Sequence, residues 1–336
     1  MMESILYPRP CKYILWFKEY HSFQKRISKL KKLLILIPLA ILMAFLLPSC
    51  GEPPPLSNAW TEASLQIKSR SELVILAFTD IHLLNPKKKQ DALPLAEKTI
   101  NCISALAKKH KPDLIIIDGD IFCSQKDESP CLFLRTAMDK IGLPWAIVWG
   151  NHDIPGMSSF EKVLSQDPLC LFKSCNPERN YSIRISGTPD GKTLCRLFMM
   201  NSRVGGLTQK SLDWFNDELA NTAKDGDAIK IAFFHIPLPQ FAELWASGHA
   251  VGVNTNGISS EKTPKSVFPA LKGGGISAVF CGHDHNNDFY GDWDGVRLQC
   301  LKCRIKDGAY GQGATLIKIS FAEKSCKTET LEYNEP

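Results

Sequence analysis

The sequence has no excess of positive charge beyond residue 50. The formal net charge of +5 arises within residues 1–50, which contain eight lysines and arginines against two acids. The remaining residues carry 32 basic and 33 acidic side chains. Because affinity for nucleic acid depends on basic side chains that neutralise phosphates, this near-neutral body excludes a general nucleic-acid binder.

Several other features are missing, and each absence narrows the class of protein. There is no internal repeat, and Cys300-x-x-Cys303 has no second CxxC motif, so a zinc ribbon is not expected. A hydrophobic fraction of 44% with 22% charged residues excludes disorder. Ten of the 12 cysteines follow Cys50, and their pairing stays open. Cys281 lies in an apolar run and is interpreted as a small buried hydrophobe.

The longest apolar run is too short for a typical membrane-spanning helix. Leu33–Leu47 is 15 residues long and follows the cationic stretch Lys25–Lys32, whereas a spanning helix needs about 20 residues. This pattern is typical of a signal peptide. The run ends in an LPSC sequence that resembles a bacterial lipobox, in which Cys50 receives the lipid.

We therefore expect residues 1–50 to be a signal peptide and residues 51–70 a linker. An uncleaved signal-anchor helix is the alternative. Under either interpretation the body is tethered to a membrane outside the cytoplasm, in the periplasm or at the cell surface. Lipidation of Cys50 would supply several acyl chains, which is enough for stable anchoring.

The rest of the chain alternates between strand-like and helix-like segments, which predicts an α/β fold with a mixed sheet covered on its faces. Short apolar runs predict eight strands, which are Leu73–Thr79, Asp113–Ile117, Trp145–Trp149, Leu194–Met200, Ile229–Phe234, Ile276–Cys281, Val296–Leu301 and Ala314–Phe321. The last two are expected to add an antiparallel portion. Five helices are expected at Leu93–Lys108, Cys131–Ile141, Ser158–Gln166, Thr208–Ala223 and Pro264–Leu271.

Polar residues suited to metal binding follow five of these strands directly. In chain order they are Asp80 and His82, Asp120, Asn151 with His152 and Asp153, His235, and His283 with His285. Each short motif is weak alone, because such pairs recur by chance. Ligands bind at the carboxyl ends of strands in open α/β sheets, so the ordered set predicts one shared site. His21, His110 and His249 lack such settings and stay unassigned, although His249 lies in a glycine-rich stretch that could line a substrate cleft.

The donor types indicate which ions could bind. Carboxylate, imidazole and amide donors without thiolate suit manganese, iron, zinc or nickel. The candidate ligands are too many for one tetrahedral ion and fit two ions that share a carboxylate. Two ions about 3.5–4 Å apart can stabilise the attacking and leaving oxygens of a displacement at phosphorus.

The ordered motifs resemble those of the calcineurin-like metallophosphoesterases over roughly residues 73–321. This resemblance implies a four-layer sandwich of mixed β-sheets flanked by helices, with a catalytic domain at residues 71–323 and a tail at residues 324–336. It implies a first metal site at Asp80, His82, Asp120 and His285, and a second at Asp120, Asn151, His235 and His283. His152 resembles the catalytic histidine, which contacts the phosphoryl oxygen or protonates the leaving group. Asp153 would orient its imidazole, and the nucleophile would be a metal-bound hydroxide.

A narrower resemblance links FFHIPLPQF at Phe233–Phe241 and GHDHNND at Gly282–Asp288 to a subgroup of this family. That subgroup contains the yeast cell-cycle-regulator phosphatase and the plant inactive purple acid phosphatases. Cys123 stands where purple enzymes have a tyrosine, and those enzymes lack the histidine found here as His82. An iron–tyrosinate centre is therefore not expected. The resemblance implies two divalent ions, manganese, zinc or iron, with manganese or zinc preferred.

The predicted function is a membrane-anchored exported phosphoesterase that acts on phosphomonoesters or phosphodiesters. The alternative is a non-catalytic, metal-binding surface lipoprotein, and a nuclease of the same fold is disfavoured by the neutral body. No protein partner can be read from the sequence. Loops near Gly187–Gly191, Arg203–Gly206 and Ser247–Ser260 are expected to wall the cleft, and Arg203 is the best candidate for a substrate contact, with an ordinary surface arginine as the favoured alternative.

Overall fold

A computed structural model describes residues 62–69, 71–84, 91–173, 176–187, 191–260 and 262–334. The signal peptide predicted for residues 1–50, with its lipid-bearing Cys50, lies outside these residues, as does His21. Among the described helices, none combines the length and the apolar character needed to span a membrane.

The described residues form strands and helices that alternate along most of the chain. The strands are β1 (Glu62–Ile67), β2 (Glu72–Phe78), β3 (Leu114–Asp118), β4 (Trp145–Val148), β5 (Tyr181–Gly187), β6 (Thr193–Met199), β7 (Ile229–Phe233), β8 (Val251–Val253), β9 (Ile276–Cys281), β10 (Asp288–Trp293), β11 (Val296–Cys300), β12 (Gly313–Ser320) and β13 (Ser325–Glu332). The helices are α1 (Ala92–His110), α2 (Ser129–Ile141), α3 (Met157–Leu164), α4 (Gln209–Asn221), α5 (Pro239–Ala246) and α6 (Val267–Gly273), with short 3₁₀ turns at Ile154–Gly156 and Ala223–Asp225.

The strands form two mixed sheets. Sheet A has the order β1-β5-β6-β7-β9-β11-β10-β8, and sheet B has the order β13-β12-β2-β3-β4. Strands β2, β3 and β4 are parallel, as are β6, β7, β9 and β11. Each sheet therefore presents a set of carboxyl strand ends along one edge.

The two sheets pack face to face because their central strands are apolar on both sides. In β6, Leu197 belongs to a cluster shared with sheet B and helices α1 to α3, whereas Phe198 belongs to a second cluster with helices α4 to α6. Ile231 and Ala232 of β7 divide in the same way, as the two-residue period of a strand requires. The layers are therefore helix, sheet, sheet and helix. The predicted fold class, mixed sheets flanked by helices, is confirmed.

The predicted domain limits need correction at both ends. Residues 62–67, assigned to the linker, form β1 and pair in parallel with β5. Residues 325–332, assigned to the tail, form β13 and pair with β12. Both lie at a sheet edge, and β13 is polar along most of its length. Such strands lack a strong apolar pattern, because they are held by backbone pairing to an inner neighbour.

The eight predicted strands are all present within about two residues of the expected limits. One pairing differs from expectation. The last two predicted strands were expected to be antiparallel. Strand β12 is antiparallel to both of its neighbours, β2 and β13, but β11 pairs parallel with β9 and antiparallel only with β10. Strand β10, which contains two aspartates and a glycine among its six residues, was not predicted. The position of β11 between β9 and β10 could therefore not be anticipated. Cys281 is fully buried, with its sulfur 4.0 Å from that of Cys300.

Candidate active site

The predicted site residues meet where the carboxyl ends of the two sheets come together. Asp80 and His82 follow β2, Asp120 follows β3 and Asn151 follows β4, all in sheet B. His235 follows β7, and His283 and His285 follow β9, in sheet A. Contacts across the sheets join these loops: the backbone N–H of His283 donates to Asp80 Oδ2 at 3.0 Å.

Six of these residues form two clusters whose donor atoms lie within 4.8 Å of one another inside each cluster. The first group consists of Asp80, His82 and His285, and the second group consists of Asp120, His235 and His283. Each group takes residues from both sheets. This division matches the two ligand sets implied by the family resemblance, apart from Asn151 and the shared role of Asp120.

Asp120 belongs to the second group but also lies close to the first. Its Oδ2 is 3.2 Å from His235 Nε2 in the second group and 3.7 Å from His82 Nε2 in the first. Its Oδ1 accepts the backbone N–H of His152 at 2.8 Å. A carboxylate oxygen close to both histidines is positioned to bind two ions at once.

The backbone is strained at the site. Asp80, His82, Asp120 and His283 all adopt left-handed conformations, with φ values of 53°, 42°, 45° and 72°. Non-glycine residues rarely adopt this region, and such strain concentrates at functional sites. The tight turns aim the side chains back over the strand ends, where the two groups form.

Two glycines allow the ligand loops to approach each other. Gly119 has a φ of +76°, and a Cβ there would collide with the imidazole ring of His235. A Cβ on Gly150 would collide with Asp120. Both glycines adjoin predicted ligands in sequence, so the small residues at these positions are required for the ligands to meet.

In the first group, the Asp80 carboxylate and the imidazoles shift one another's pKa values. Burial alone would raise the pKa of Asp80, but the charge of His235 and a hydrogen bond from His285 hold it below its usual value. That hydrogen bond in turn raises the pKa of His285. Burial lowers the pKa of His82 to about 4, against the opposing charges of Asp80 and Asp120, so His82 is neutral at pH 7.

The second group shows the same pattern of mutual shifts. Burial acts to lower the pKa of His235, but the Asp120 and Asp80 carboxylates raise it well above its usual value. Burial acts to raise the pKa of Asp120, and the charge of His235 reverses this and lowers it. Burial and the charge of His235 lower the pKa of His283. Each group therefore contains one imidazole with a lowered pKa, His82 or His283, and one with a raised pKa, His285 or His235.

Buried atoms without a hydrogen-bond partner test whether metal ions fit these groups. Among the described residues such atoms occur away from the site, as at Trp149 Nε1 and Thr263 Oγ1, and at four atoms here that make no well-aligned hydrogen bond: Asp80 Oδ1, Asn151 Oδ1, His235 Nε2 and His283 Nδ1. An unsatisfied buried polar atom is costly, and native structures contain few of them. All four belong to the predicted ligand set. The types of donor atom and their lack of well-aligned hydrogen-bond partners both fit divalent metal ions.

His152 lies beside this centre with its imidazole partly open to solvent. Its side chain is 44% exposed, and Nε2 is 3.9 Å from Asp120 Oδ2. Asp153 was predicted to orient this imidazole, and the structure corrects that assignment. The Asp153 carboxylate accepts the backbone N–H groups of Ile121, Phe122 and Gly150, at 3.2, 2.7 and 2.9 Å. It therefore braces the two loops that carry Asp120 and Asn151.

Two further polar residues were not identified from the sequence. Ser124 Oγ lies 2.6 Å from His152 Nδ1. The backbone carbonyl of Asp118 accepts His235 Nδ1–H at 2.8 Å, and within the described part of the chain neither of its carboxylate oxygens has a hydrogen-bond partner. Burial raises the pKa of Asp118 to about 8, with His235 opposing and Asp80 and Asp120 adding to the shift.

Two of the three loops expected to wall the cleft lie near the site. Ser259 N–H donates to Asp284 Oδ2, in the loop that carries His283 and His285. Arg203 lines a cavity of about 160 Å³ that also borders the His152 loop through Ile154. The Arg203 guanidinium pairs with Glu178 at 2.9 Å, so it has a structural partner as well as access to this cavity.

Comparison with known proteins agrees with this geometry. A sequence model of the calcineurin-like phosphoesterase family matches residues 73–287, well over half of the chain. The chain belongs to this family. The predicted family and the predicted enzyme class, a hydrolase of phosphoric esters, are therefore confirmed.

The relatives within the calcineurin-like phosphoesterases are distant. A protein of Arabidopsis thaliana named "Probable inactive purple acid phosphatase 29" is 28% identical over 306 residues, covering 77% of this chain and 78% of that protein. Phosphatase DCR2 of Saccharomyces cerevisiae is 24% identical over 265 residues, covering 67% of this chain and 46% of its own. A solved Plasmodium structure, described as GAP50, the anchor in the inner membrane complex, has a TM-score of 0.50 at 14% identity, covering 79% of this chain and 90% of that one. This last likeness concerns the fold alone.

Proposed function

We propose that this protein is an exported, membrane-anchored phosphoesterase that hydrolyses phosphomonoesters or phosphodiesters with two divalent metal ions. The observation that carries the catalytic part of this proposal is the pair of adjacent ligand groups with their unsatisfied buried donor atoms. The separation of the donors into two groups, with Asp120 close to both, supports two ions rather than one.

In this proposal one ion is held by Asp80, His82, Asp120 and His285, and the other by Asp120, Asn151, His235 and His283. Manganese, zinc or iron suits these oxygen and nitrogen donors. The chemistry that two such ions supply is activation of water and stabilisation of the phosphoryl oxygens. The protein supplies the geometry, because the left-handed turns and Gly119 and Gly150 fix where the donors point.

His152 is the side chain proposed to act on the substrate directly. It adjoins Asp120 yet remains partly exposed, so an ester bound over the two groups could reach its imidazole. An imidazole there can donate to the phosphoryl oxygen or pass a proton to the leaving group. Asp153 contributes by holding the loop, since its carboxylate binds three backbone N–H groups around the site.

Membrane anchoring through Cys50 is the second part of the proposal, and the sequence of residues 25–50 alone supports it. The test is metabolic labelling of the full chain with a radiolabelled fatty acid. Label should appear in the wild type and be absent from Cys50→Ser. A signal-anchor helix would instead leave the Cys50→Ser protein in the membrane fraction without label in either form.

A non-catalytic metal-binding lipoprotein is the competing function, because a relative bears the name "inactive". The two are separated by assaying the full chain with manganese on p-nitrophenyl phosphate and bis(p-nitrophenyl) phosphate, while metal content is measured on the same sample. We expect about two ions per chain and turnover of at least one ester. Full metal content without turnover of either ester would favour the non-catalytic function.

A matched pair of variants makes the assay specific. His152→Ala should lower kcat by about 10²- to 10⁴-fold, the usual contribution of a general acid–base group, with metal content unchanged. His249→Ala, an exposed histidine outside both groups, should behave as the wild type. Equal activity in the two variants would contradict the role given to His152.

A further inference from the structure

The two ring nitrogens of His152 face different surroundings. Nε2 is directed toward Asp120, with 3.9 Å between Nε2 and Oδ2, so it lies on the side of the two ligand groups. Nδ1 lies on the opposite side of the ring, 2.6 Å from the hydroxyl of Ser124. The nitrogen available to a substrate and the nitrogen held by the protein are therefore distinct.

Ser124 also contacts the main chain of His152. Its backbone N–H donates to the carbonyl of His152 at 3.0 Å, while its hydroxyl contacts the ring. Two contacts from one residue fix both the backbone and the side chain of the histidine. Within the described part of the chain, the Ser124 hydroxyl is the hydrogen-bond partner of Nδ1.

The carboxylate that follows His152 in sequence does not take this role. Asp153 is fully buried, and its oxygens accept three backbone N–H groups from the loops around Asp120 and Gly150. The Asp153 carboxylate therefore binds backbone N–H groups rather than the His152 ring. The ring of His152 depends on a hydroxyl that comes from a different loop, the one after β3.

The backbone at Ser124 indicates that its side chain matters. Its φ is +45°, in the left-handed region that glycine adopts without strain and serine does not. If a tight turn were the sole requirement, glycine would be the better residue. The strain is offset where the hydroxyl makes a short contact with the imidazole, as seen here.

We infer that Ser124 is the positioning residue of His152, an inference that rests on the proposed phosphoesterase function. Its hydroxyl accepts the Nδ1 proton and so leaves the Nε2 proton free to be transferred. During ester cleavage the P–O bond to the leaving group breaks, and its electron pair goes to the leaving oxygen. That oxygen takes the proton from Nε2, whose N–H electron pair stays on the ring. A water oxygen forms the new bond to phosphorus, keeps one of its protons and releases the other to solvent. His152 ends this step as a neutral imidazole that still donates from Nδ1 to Ser124, and Nε2 is later reprotonated from solvent.

Three substitutions separate the hydroxyl from the backbone. Ser124→Gly removes the hydroxyl and relieves the left-handed strain, Ser124→Ala removes the hydroxyl alone, and Ser124→Asn restores an accepting oxygen in a residue that tolerates this conformation. We expect kcat to fall about 10- to 100-fold in both the Gly and the Ala variants, the size of a hydrogen bond to a charged group. KM and metal content should stay within about twofold, and Ser124→Asn should recover most of the loss.

Lys324→Gly is the matched control, because Lys324 has a similar φ of +48° in the turn between β12 and β13. It should keep wild-type kcat. A Ser124→Gly variant with wild-type kcat would overturn the inference, because the backbone alone would then explain the residue. A loss in Ser124→Gly that Ser124→Asn does not recover would also contradict it.

A spectroscopic measurement tests the contact independently of turnover. In full-length protein labelled with ¹⁵N-histidine, the Nδ1 resonance of His152 is assigned by comparison with His152→Ala. It should shift in Ser124→Gly and return toward the wild-type value in Ser124→Asn. An unchanged resonance in all three proteins would refute the contact. A shifted resonance in a protein that cleaves neither ester would retain the positioning contact while rejecting the proposed function.

Discussion

The two ligand groups have the same chemistry but different settings. In the second group His235 is fully buried, and its Nδ1 is fixed by the backbone carbonyl of Asp118 at 2.8 Å. In the first group His285 has a side chain that is 25% exposed, and the ring of Tyr310 packs beside it. A hydrogen bond such as the one between His235 Nδ1 and this backbone carbonyl orients a metal-binding imidazole and raises its basicity. His235 is therefore held more firmly than His285, although each group contains two buried residues and one partly exposed residue.

The largest effect is expected where the two groups meet. Asp120→Asn removes the charge that faces both, so we expect kcat to fall by several orders of magnitude and metal content to fall at both sites. Asp213→Asn, on the solvent side of α4, is the matched control and should be silent. Retention of two ions and wild-type kcat by Asp120→Asn would remove the basis for a shared carboxylate.

The next largest effect is expected from removing one histidine of either group, and it should differ between the two groups. His235→Asn should lose one ion that excess manganese does not restore. It should also lower Tm by about 10 °C in the metal-free protein, because Asp80 and Asp120 lose a buried partner. His285→Asn should lose an ion that millimolar manganese does restore, with a smaller change in Tm. Metal analysis, activity against manganese concentration and calorimetry measure these outcomes. Identical behaviour of the two variants would erase the distinction between the groups.

A moderate effect is expected behind the second group, at Asp118. The folded protein keeps this carboxyl protonated up to its pKa of about 8, whereas the unfolded chain ionises it at the ordinary aspartate pKa of 3.8. The metal-free protein should therefore lose stability as pH rises from about 4 to 8. Asp118→Asn should remove this loss, with a gain of a few kcal/mol at pH 8 and none at pH 4, since each unit of pKa shift is about 1.4 kcal/mol. Denaturant unfolding of both proteins at pH 4 and pH 8 measures this difference in stability. The same dependence of stability on pH in the wild type and in Asp118→Asn would contradict the raised pKa.

Proton release on metal binding is a smaller effect that distinguishes the groups further. His235 carries a raised pKa and must lose its proton to bind an ion, so affinity should rise with pH. Calorimetric titration with manganese in two buffers of different ionisation enthalpy counts the protons released. The count should fall in His235→Asn. If the wild type and this variant released the same number of protons, the released proton would come from a group other than His235.

The smallest effect is expected at His110 and His249, which lie outside both groups and were given no role in the site. His110→Ala and His249→Ala should change kcat and metal content by less than about twofold, the range of an ordinary surface substitution. Neither residue belongs to a ligand group among the described residues. A marked loss of activity in His249→Ala with normal metal content would instead place that loop in the substrate cleft.

The sequence was sufficient to predict the residues of the two groups, because each ligand directly follows an apolar strand. Parallel strands bring their carboxyl ends to one edge, so residues as distant as Asp80 and His285 were expected to meet. The fold class followed from the same alternation. The edge strands β1 and β13 did not, because pairing with a neighbour rather than an apolar pattern stabilises them.

Ser124, Asp118 and the role of Asp153 could not be predicted for a different reason. Serine and aspartate are common after strands, and their contacts depend on left-handed turns that the sequence does not specify. Asp153 adjoins His152, which suggested a contact with the ring. The turn instead directs its carboxylate to three backbone N–H groups. Neighbours in sequence are poor guides to contacts wherever the chain reverses direction.

Because each ligand group draws on both sheets, metal ions bound there would join the two halves of the molecule. The sheets could then separate only after an ion leaves, so ion dissociation would limit the rate of global unfolding. Such a protein would resist proteases through slow opening as well as through the equilibrium stability that bound ions add. Chelation would shorten its lifetime among proteases while leaving every side chain of the hydrophobic core unchanged.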